Sequence, residues 1–408
     1  MARNLSRDAK LYAIIAGTAI GSATGGPAAP NCWEIKVLDG FSFSQDTGTQ
    51  DITINEAGAT PTRGMKQYNT SLNPVDVSFS TYVRPFVAVD DGVPTNSRAK
   101  CIEEILWNSM ISNTLGVVGS SGSNVSNSGI VATGTTSCKF DFSNSDLHQL
   151  LELDLYFKFD NNTYKITNFT VISAEVDFSI DGIGTINWSG QGTTLAEDSA
   201  AHTAIGSWTG TEAGSPDYYS APDVAQFMKN KFTTMILIDN NVGSATNSDY
   251  FTVPITGGTI TIDNGTTYLT PEELGVVNTS IGSFTGTRSI SGSVTAYLNT
   301  VGSEDGTTEA LGWPTAKLIE AMQALTDATN TNWSITLRMG GTSTDNPRVD
   351  FYLGSAQLTF PSVNIEDVIA TEINFIGQGS TGLEATNELT IDYVPSTDTT
   401  YYYDDTNV

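Results

Sequence analysis

Histidine, the side chain best suited to moving protons near neutral pH, occurs only as His148 and His202. The two lie far apart, one ahead of a strand-like stretch and one in a linker, and both read as satisfied or solvated. No GxSxG elbow, HExxH pair or P-loop is present. Residues 377–382 spell GxGxxG (GQGSTG), but no helix pattern follows to receive a phosphate, so this is a turn after a strand. Residues 239–249 (DNNVGSATNSD) look faintly like a calcium loop, yet lack the alternating acids and the closing glutamate. Cys32, Cys101 and Cys138 form neither a CxxC pair nor an even framework, which fits a reducing compartment, and Cys101 reads as a small buried hydrophobe. Paired carboxylates can serve glycoside hydrolysis. Glu175 with Asp177, and Glu366 with Asp367, stand in matching stretches, but they read as the polar face of alternating strands. No catalytic, cofactor or metal constellation emerges.

The elements that carry these residues come twice. RAKCIEEILW (98–107) is echoed by TAKLIEAMQA (315–324), with Ala99, Lys100, Ile102 and Glu103 recurring as Ala316, Lys317, Ile319 and Glu320, an offset of 217 positions. The same offset relates TQDITINEAG (49–58) to TTYLTPEELG (266–275). VDFSIDGIGTINWSGQG (176–192) returns as VNIEDVIATEINFIGQG (363–379), now at 187 because the first copy holds more chain between blocks. Matched blocks in one order predict a duplicated domain, each copy large enough for its own core. The expected division is an N-terminal arm (1–29), copy one (30–195), a linker (196–228), copy two (229–383) and an acidic tail (384–408). Copy one carries a Gly/Ser-rich surplus at about 116–136.

The formal net charge is −27, from 18 basic and 45 acidic residues, which argues against a surface that grips nucleic acid. After Lys231 the only bases are Arg288, Lys317, Arg338 and Arg348. Abundant Thr, Ser, Val, Ile and Gly predict a mainly β chain with many turns. Arg3, Arg7 and Lys10 ahead of AIIAGTAIGSATGG give a weak echo of a signal peptide, too diluted by Gly, Thr and Ser to be read as one. No stretch is long and apolar enough for a membrane helix. The arm, with its apolar piece at 11–15, is expected to dock on a neighbour or fray.

PVDVSFSTYVRP (74–85) and LLELDLYFKF (150–159) alternate as strands, the latter with Glu152, Asp154, Tyr156 and Lys158 on its polar side. One helix is expected in each copy. Residues 97–110 carry Ile102, Ile105, Leu106 and Met110 as a stripe, capped by Asn96 or Ser97, and Leu318, Met322 and Leu325 repeat it after Pro314. Each helix must cover a sheet. Long polar loops are expected at 45–73 and 263–288.

WEIKVLDGFSFSQ, YNTSLNPVDVSFSTYVRPF, the helix that follows and the closing TINWSGQG resemble the major tail tube protein of long-tailed, siphovirus-type bacteriophages. The resemblance covers 33–193 directly and 231–383 through the duplication. It implies tandem tube domains of β-sandwich/barrel type, each with a flanking helix and a long loop. It further implies a trimeric ring of pseudo-sixfold symmetry, stacked into a tube that conducts DNA, assembled in the host cytoplasm and carried in the virion. Implied partners are the chain itself, the tape measure, the tail terminator and the distal tail protein, with no cofactor, no membrane and no specific hold on DNA. Under this reading Glu152, Asp154, Glu175, Asp177, Glu366, Asp367 and Glu372 are candidate lumen acids. Asp51, Glu56, Arg63, Glu272 and Glu273 are candidate inter-ring residues. A secreted or cell-surface adhesin or S-layer-like protein would share the acidity and the Thr/Gly richness. A carbohydrate-active enzyme is the third alternative.

Overall fold

Alternation of apolar with hydroxylated side chains runs through much of the chain, and it folds as mainly antiparallel β-structure. A computed structural model describes residues 9–17, 32–53, 64–89, 97–113, 130–133, 137–142, 149–160, 162–206, 218–220, 227–239, 249–298, 313–323, 333–341, 346–359, 362–364, 370–379, 388–396 and 402–404. The first elements are β1 (Lys10–Ile15), β2 (Cys32–Ile35), β3 (Ser42–Thr53), β4 (Met65–Tyr82), β5 (Pro85–Val89), β6 (Ser97–Cys101) and helix α1 (Glu104–Ile111). Then come β7 (Ile130–Thr133), β8 (Ser137–Asp141), β9 (Leu153–Lys158), β10 (Thr163–Ser179), β11 (Thr185–Gly192), β12 (Thr194–Glu197), helix α2 (Ser199–Gly206) and β13 (Tyr218–Ser220). β14 (Thr234–Asp239), β15 (Asp249–Val253), β16 (Ile255–Asp263), β17 (Thr267–Leu269), β18 (Gly282–Phe284) and β19 (Ser289–Tyr297) precede helix α3 (Ala316–Gln323). The last strands are β20 (Trp333–Met339), β21 (Arg348–Leu358), β22 (Ser362–Asn364), β23 (Ala370–Gly377), β24 (Thr390–Val394) and β25 (Tyr402–Asp404). No helix among the described residues is long and apolar enough to cross a membrane.

The ladders fall into two sets with one pairing order. In the first, β2–β1–β9–β10–β11–β4–β3 are successive antiparallel neighbours. In the second, β15–β14–β20–β21–β23–β19–β16 follow the same order, with β22 also along β23. The sets join where the C-terminal half of β10 takes β16 on its other edge, from Ser173 opposite Asp263 to Ser179 opposite Gly257. A single sheet therefore runs β3–β4–β11–β10–β16–β19–β23–β22. Its inner face is the core: Val75, Val77 and Phe79, Ile186 and Trp188, Val176 and Phe178, Ile260 and Ile262, Ile373 and Phe375 are all buried. Burial of each such side chain stabilises by roughly 1.5–3 kcal/mol. At Gly292 in β19 an added β-carbon would overlap the Phe375 ring, so only glycine lets that ring lie against the strand.

β10 serves both layers of the sandwich. Its register shifts between Ile166 and Phe169 and again between Val171 and Ser173, and Asn168 takes a left-handed φ of 50°. Such a bulge turns the strand from the outer ladder, beside β9 and β12, into the shared sheet. A second join lies in the outer layer. β24 pairs β21 on one side and β8 on the other, with Thr390 opposite Asp141, and β7 lies beyond β8. The described end of the Gly/Ser-rich stretch is thus part of a hairpin that reaches the second set.

Three expectations change. Residues 10–15 of the expected arm form β1, paired on both edges, because Leu11, Ala13 and Ile14 are buried in the sandwich. Residues 97–101 form a strand opposite 85–89 instead of the first helical turn, so Cys101 is buried on β6 and α1 begins only at Glu104. The polar stretch 45–73 is mostly strand: β3 and β4 make a long hairpin whose arms are exposed on both faces, and shifts at Gln45/Thr47 and Gly48/Thr49 break the alternation a sequence reader looks for.

The predicted helix stripe is buried, and so is the rest of α1 from Ile105 to Ile111. Trp107 stacks edge-on to Trp188 at 4.7 Å and donates Nε1–H to the Tyr393 hydroxyl at 2.9 Å, bridging the first set to β24. At the head of the helix Glu103 is fully buried. Burial pushes its carboxyl up to about 8 from an ordinary 4.5, while Arg84 and the Thr81 hydroxyl pull the other way. The neighbouring Tyr393 and Cys101 are raised by burial as well. The folded state therefore holds the Glu103 proton more tightly than the unfolded chain does. That stabilisation is complete below pH 4.5 and is lost as pH rises through about 8. We expect the Tm of the wild type to fall across this window relative to Glu103→Gln, whose profile should be flatter. Parallel profiles would refute it.

Candidate functional site

The outward face of the shared sheet is a continuous polar surface that spans both sets of strands. Alternation that buries Val75, Val77 and Phe79 turns Asp76, Ser78 and Ser80 outward, and the rule continues across the seam. Cross-strand partners interlock: Ser42 with Ser78 at 2.8 Å, Ser80 with Asn187 at 2.7 Å and Ser173 with Ser189 at 2.7 Å. Gln191 donates to Asp76 at 2.7 Å, and Ser293 donates to Glu372 at 3.1 Å. This ladder of hydroxyls and amides holds the acids in place.

The charge on this face has one sign. Asp76, Glu175, Asp177, Asp263 and Glu372 point outward, their neighbours in sequence being buried. Strands β3, β11, β16, β19, β22 and β23 contain no lysine or arginine, nor does 171–179 of β10, and Lys66 of β4 sits on the far hairpin arm. None of these acids stands directly opposite another: Asp76 faces Ser44 and Gln191, Glu175 faces Asn187 and Thr261, Asp177 faces Thr185 and Thr259, Asp263 faces Ser173 and Ser289, and Glu372 faces Thr295 and Ser362. Among the described residues no cluster of His, Cys, Asp and Glu could hold a metal ion. His202 on α2 is satisfied by Thr163 at 3.0 Å. His148 and most of the calcium-like stretch 239–249 lie outside the described residues, as does the end of the GxGxxG stretch.

Of the acids singled out from sequence, Glu175, Asp177 and Glu372 lie on this face. Glu152 and Asp154 do not. Asp154 is buried on β9, 2.8 Å from Lys165 and accepting the Asn168 N–H at 3.2 Å. Glu152 is half-buried just before β9, its carboxyl raised by burial and then by Asp154. Strand β9 is covered on both sides, which its strict alternation does not reveal. Glu366 and Asp367 lie outside the described residues. Asp76 and Asp263 also lie on this face and are absent from the sequence-based candidates, although VDVSF and ITID place both opposite apolar neighbours. Of the loop residues, Asp51 is exposed on the β3 arm and Glu272 and Glu273 are exposed between β17 and β18, while Glu56 and Arg63 lie outside the described residues.

The two groups of acids should respond differently to neutralisation. Lys165→Met strands the buried Asp154 and should cost about 1–3 kcal/mol. Glu175→Gln and Asp177→Asn should stay within about 0.5 kcal/mol of the wild type. Denaturation midpoints decide this, and a large loss from the sheet-face pair would contradict the outward placement.

A scan against protein families finds no match. Among curated proteins, tail tube protein pb6 of Escherichia phage T5 is 31% identical over 358 residues, covering 85% of this chain and 68% of that protein. Identity at this level along most of both chains favours the tube reading over the cell-surface one and shows the family. The chain belongs to the tail tube proteins of bacteriophages, structural components of the virion.

Proposed function

We propose that three chains close head to tail into one ring of the tube, and that the acidic sheet face lines its channel. The observation that carries this reading is the seam of β10 with β16. The matching order of the two sets supports reading 30–195 and 229–383 as two copies of one tube domain. In that correspondence β3 matches β16, and the C-terminal half of β10 matches β22 and the end of β21. Among the described residues β3 pairs only β4, and β22 pairs only β23. The chain thus keeps one open edge of each kind, and β22 of one chain fits β3 of the next as β10 fits β16. Such a heterologous contact closes a ring when the rotation permits. Six domains, the number the family resemblance implies, then require three chains.

Stacked rings place the sheet face along a continuous wall. DNA carries one charge per about 1.7 Å of axis, and wall lysines would hold it by counterion release. Carboxylates repel it over a Debye length of about 8 Å at physiological salt, which centres the duplex without binding it. The chain acts as a structural subunit and not as an enzyme, alongside tape measure, terminator and distal tail proteins.

Native mass spectrometry of isolated rings should give three chains, and six would overturn the arrangement. Lysines at Glu175, Asp177 and Glu372 should slow DNA release from virions in a salt-dependent way while leaving tail length unchanged. Release at the wild-type rate would remove the sheet face from the channel.

A further inference from the structure

Exposed large apolar side chains gather at the two ends of the shared sheet. At the end where Asp263 faces Ser289, the β17–β18 excursion presents Leu274, Val276, Val277 and Ile281, with Leu274 fully exposed. At the opposite end, where Gly257 faces Ser179, Ile180, Ile183, Phe227 and Phe232 are exposed. Water-facing patches of this kind on one molecule mark interaction sites.

The excursion is held in shape. Tyr268 donates its hydroxyl to the Asn168 carbonyl at 2.8 Å, Leu72 N–H donates to the Asn278 carbonyl at 2.8 Å, and Glu273 N–H donates to the Asn278 side chain at 3.0 Å. Gly275 turns the tip with φ of 87°. The receiving end is equally built. Asn230 N–H donates to the Gly182 carbonyl at 3.2 Å, and Phe227 packs edge-on against Tyr82 at 5.5 Å.

The charges at the two ends are opposite. Glu272 and Glu273 stand exposed beside Leu274, whereas Lys229 and Lys231 stand exposed beside Phe227 and Phe232 and outnumber Asp181, which is exposed on the Ile180–Ile183 turn. In a chain of net charge −27, two lysines flanking an apolar patch select an acidic partner. Resting on the tube reading, we infer that the 270–281 tip of one chain docks on the Ile180–Ile183 turn and the 227–232 segment of a chain in the next ring. The apolar residues meet, and Glu272 and Glu273 face Lys229 and Lys231. The two surfaces differ and lie at opposite ends of one sheet, so the contact repeats along the sheet's long direction without closing.

The test uses the full chain with E272K/E273K, K229E/K231E, both pairs together, and L274D. Tube length is read by electron microscopy and sedimentation, ring mass by native mass spectrometry, and folding by thermal melts. Each charge-reversed pair and L274D should retain rings and lose tubes, and the combined reversal should restore tubes. Wild-type tube length in either single reversal, no recovery in the combined variant, or a wild type that gives only rings at every concentration would overturn the contact. Ring mass is read separately, so a ring of other than three chains counts against the ring proposal and not against this docking.

Discussion

Every backbone N–H and C=O on a sheet edge needs a partner, and the architecture follows from where those partners are found. β10 is the strand that decides it. It is paired on both edges at 164–166, by β9 and β12 in the outer layer, and at 173–177, by β11 and β16 in the shared sheet. The bulges around Asn168 let one strand do both, so neither layer can move without the other. The Tyr268 hydroxyl reaches the Asn168 carbonyl from β17, just after β16, which ties the bend to the seam. The outer join of β8 with β24, and the Trp107–Tyr393 hydrogen bond beneath it, fasten the sets a second time.

Several of the few cations neutralise acids off the sheet face. Lys165 pairs with Asp154, Arg288 with Glu388 at 2.7 Å, Arg338 with Asp350 at 3.0 Å and Lys139 with Asp141 at 3.3 Å. Each lies in the outer layer or at its rim, and a partly buried pair is costly to break from one side. The shared face has acids and hydroxyls but no base, so its potential has one sign from edge to edge. Net charge alone does not reveal this. A chain with the same charge and bases spread evenly would show no such wall.

Much of this was legible in the sequence, for a physical reason. One-sided strands such as 74–82 and 185–192 alternate because one face meets the core and the other meets water, so Glu175 and Asp177 could be placed by counting. The signal fails where both faces share one environment. β9 is covered twice, which hid Asp154, and the β3–β4 arms are exposed twice, which made strands look like a loop. The strand at 97–101 does not show in the pattern because Cys101, four residues before Ile105, extends the helical stripe of Ile102, Ile105, Leu106 and Met110, and only the pairing with 85–89 separates the two. Tyr268 gave no signal, since its hydrogen bonds are to backbone distant in sequence.

Under the proposed reading, joining two copies in one chain changes what the ring must achieve. In the ring proposed above, half the domain junctions are intramolecular, formed at the high effective concentration that a short tether supplies. Those junctions have two seams, β10 with β16 and β8 with β24. The chain-to-chain junction has a counterpart for the first only, because among the described residues no β7–β8-like hairpin follows α3. In that proposed ring the two kinds of junction are unequal, the chain-to-chain one having no counterpart of the β8–β24 pairing among the described residues. Under that reading the two copies also differ: most of the bases lie in the first, acids are spread over both, and the strands of the shared sheet keep one sign throughout. A ring of six identical domains would have to encode all these demands in a single surface.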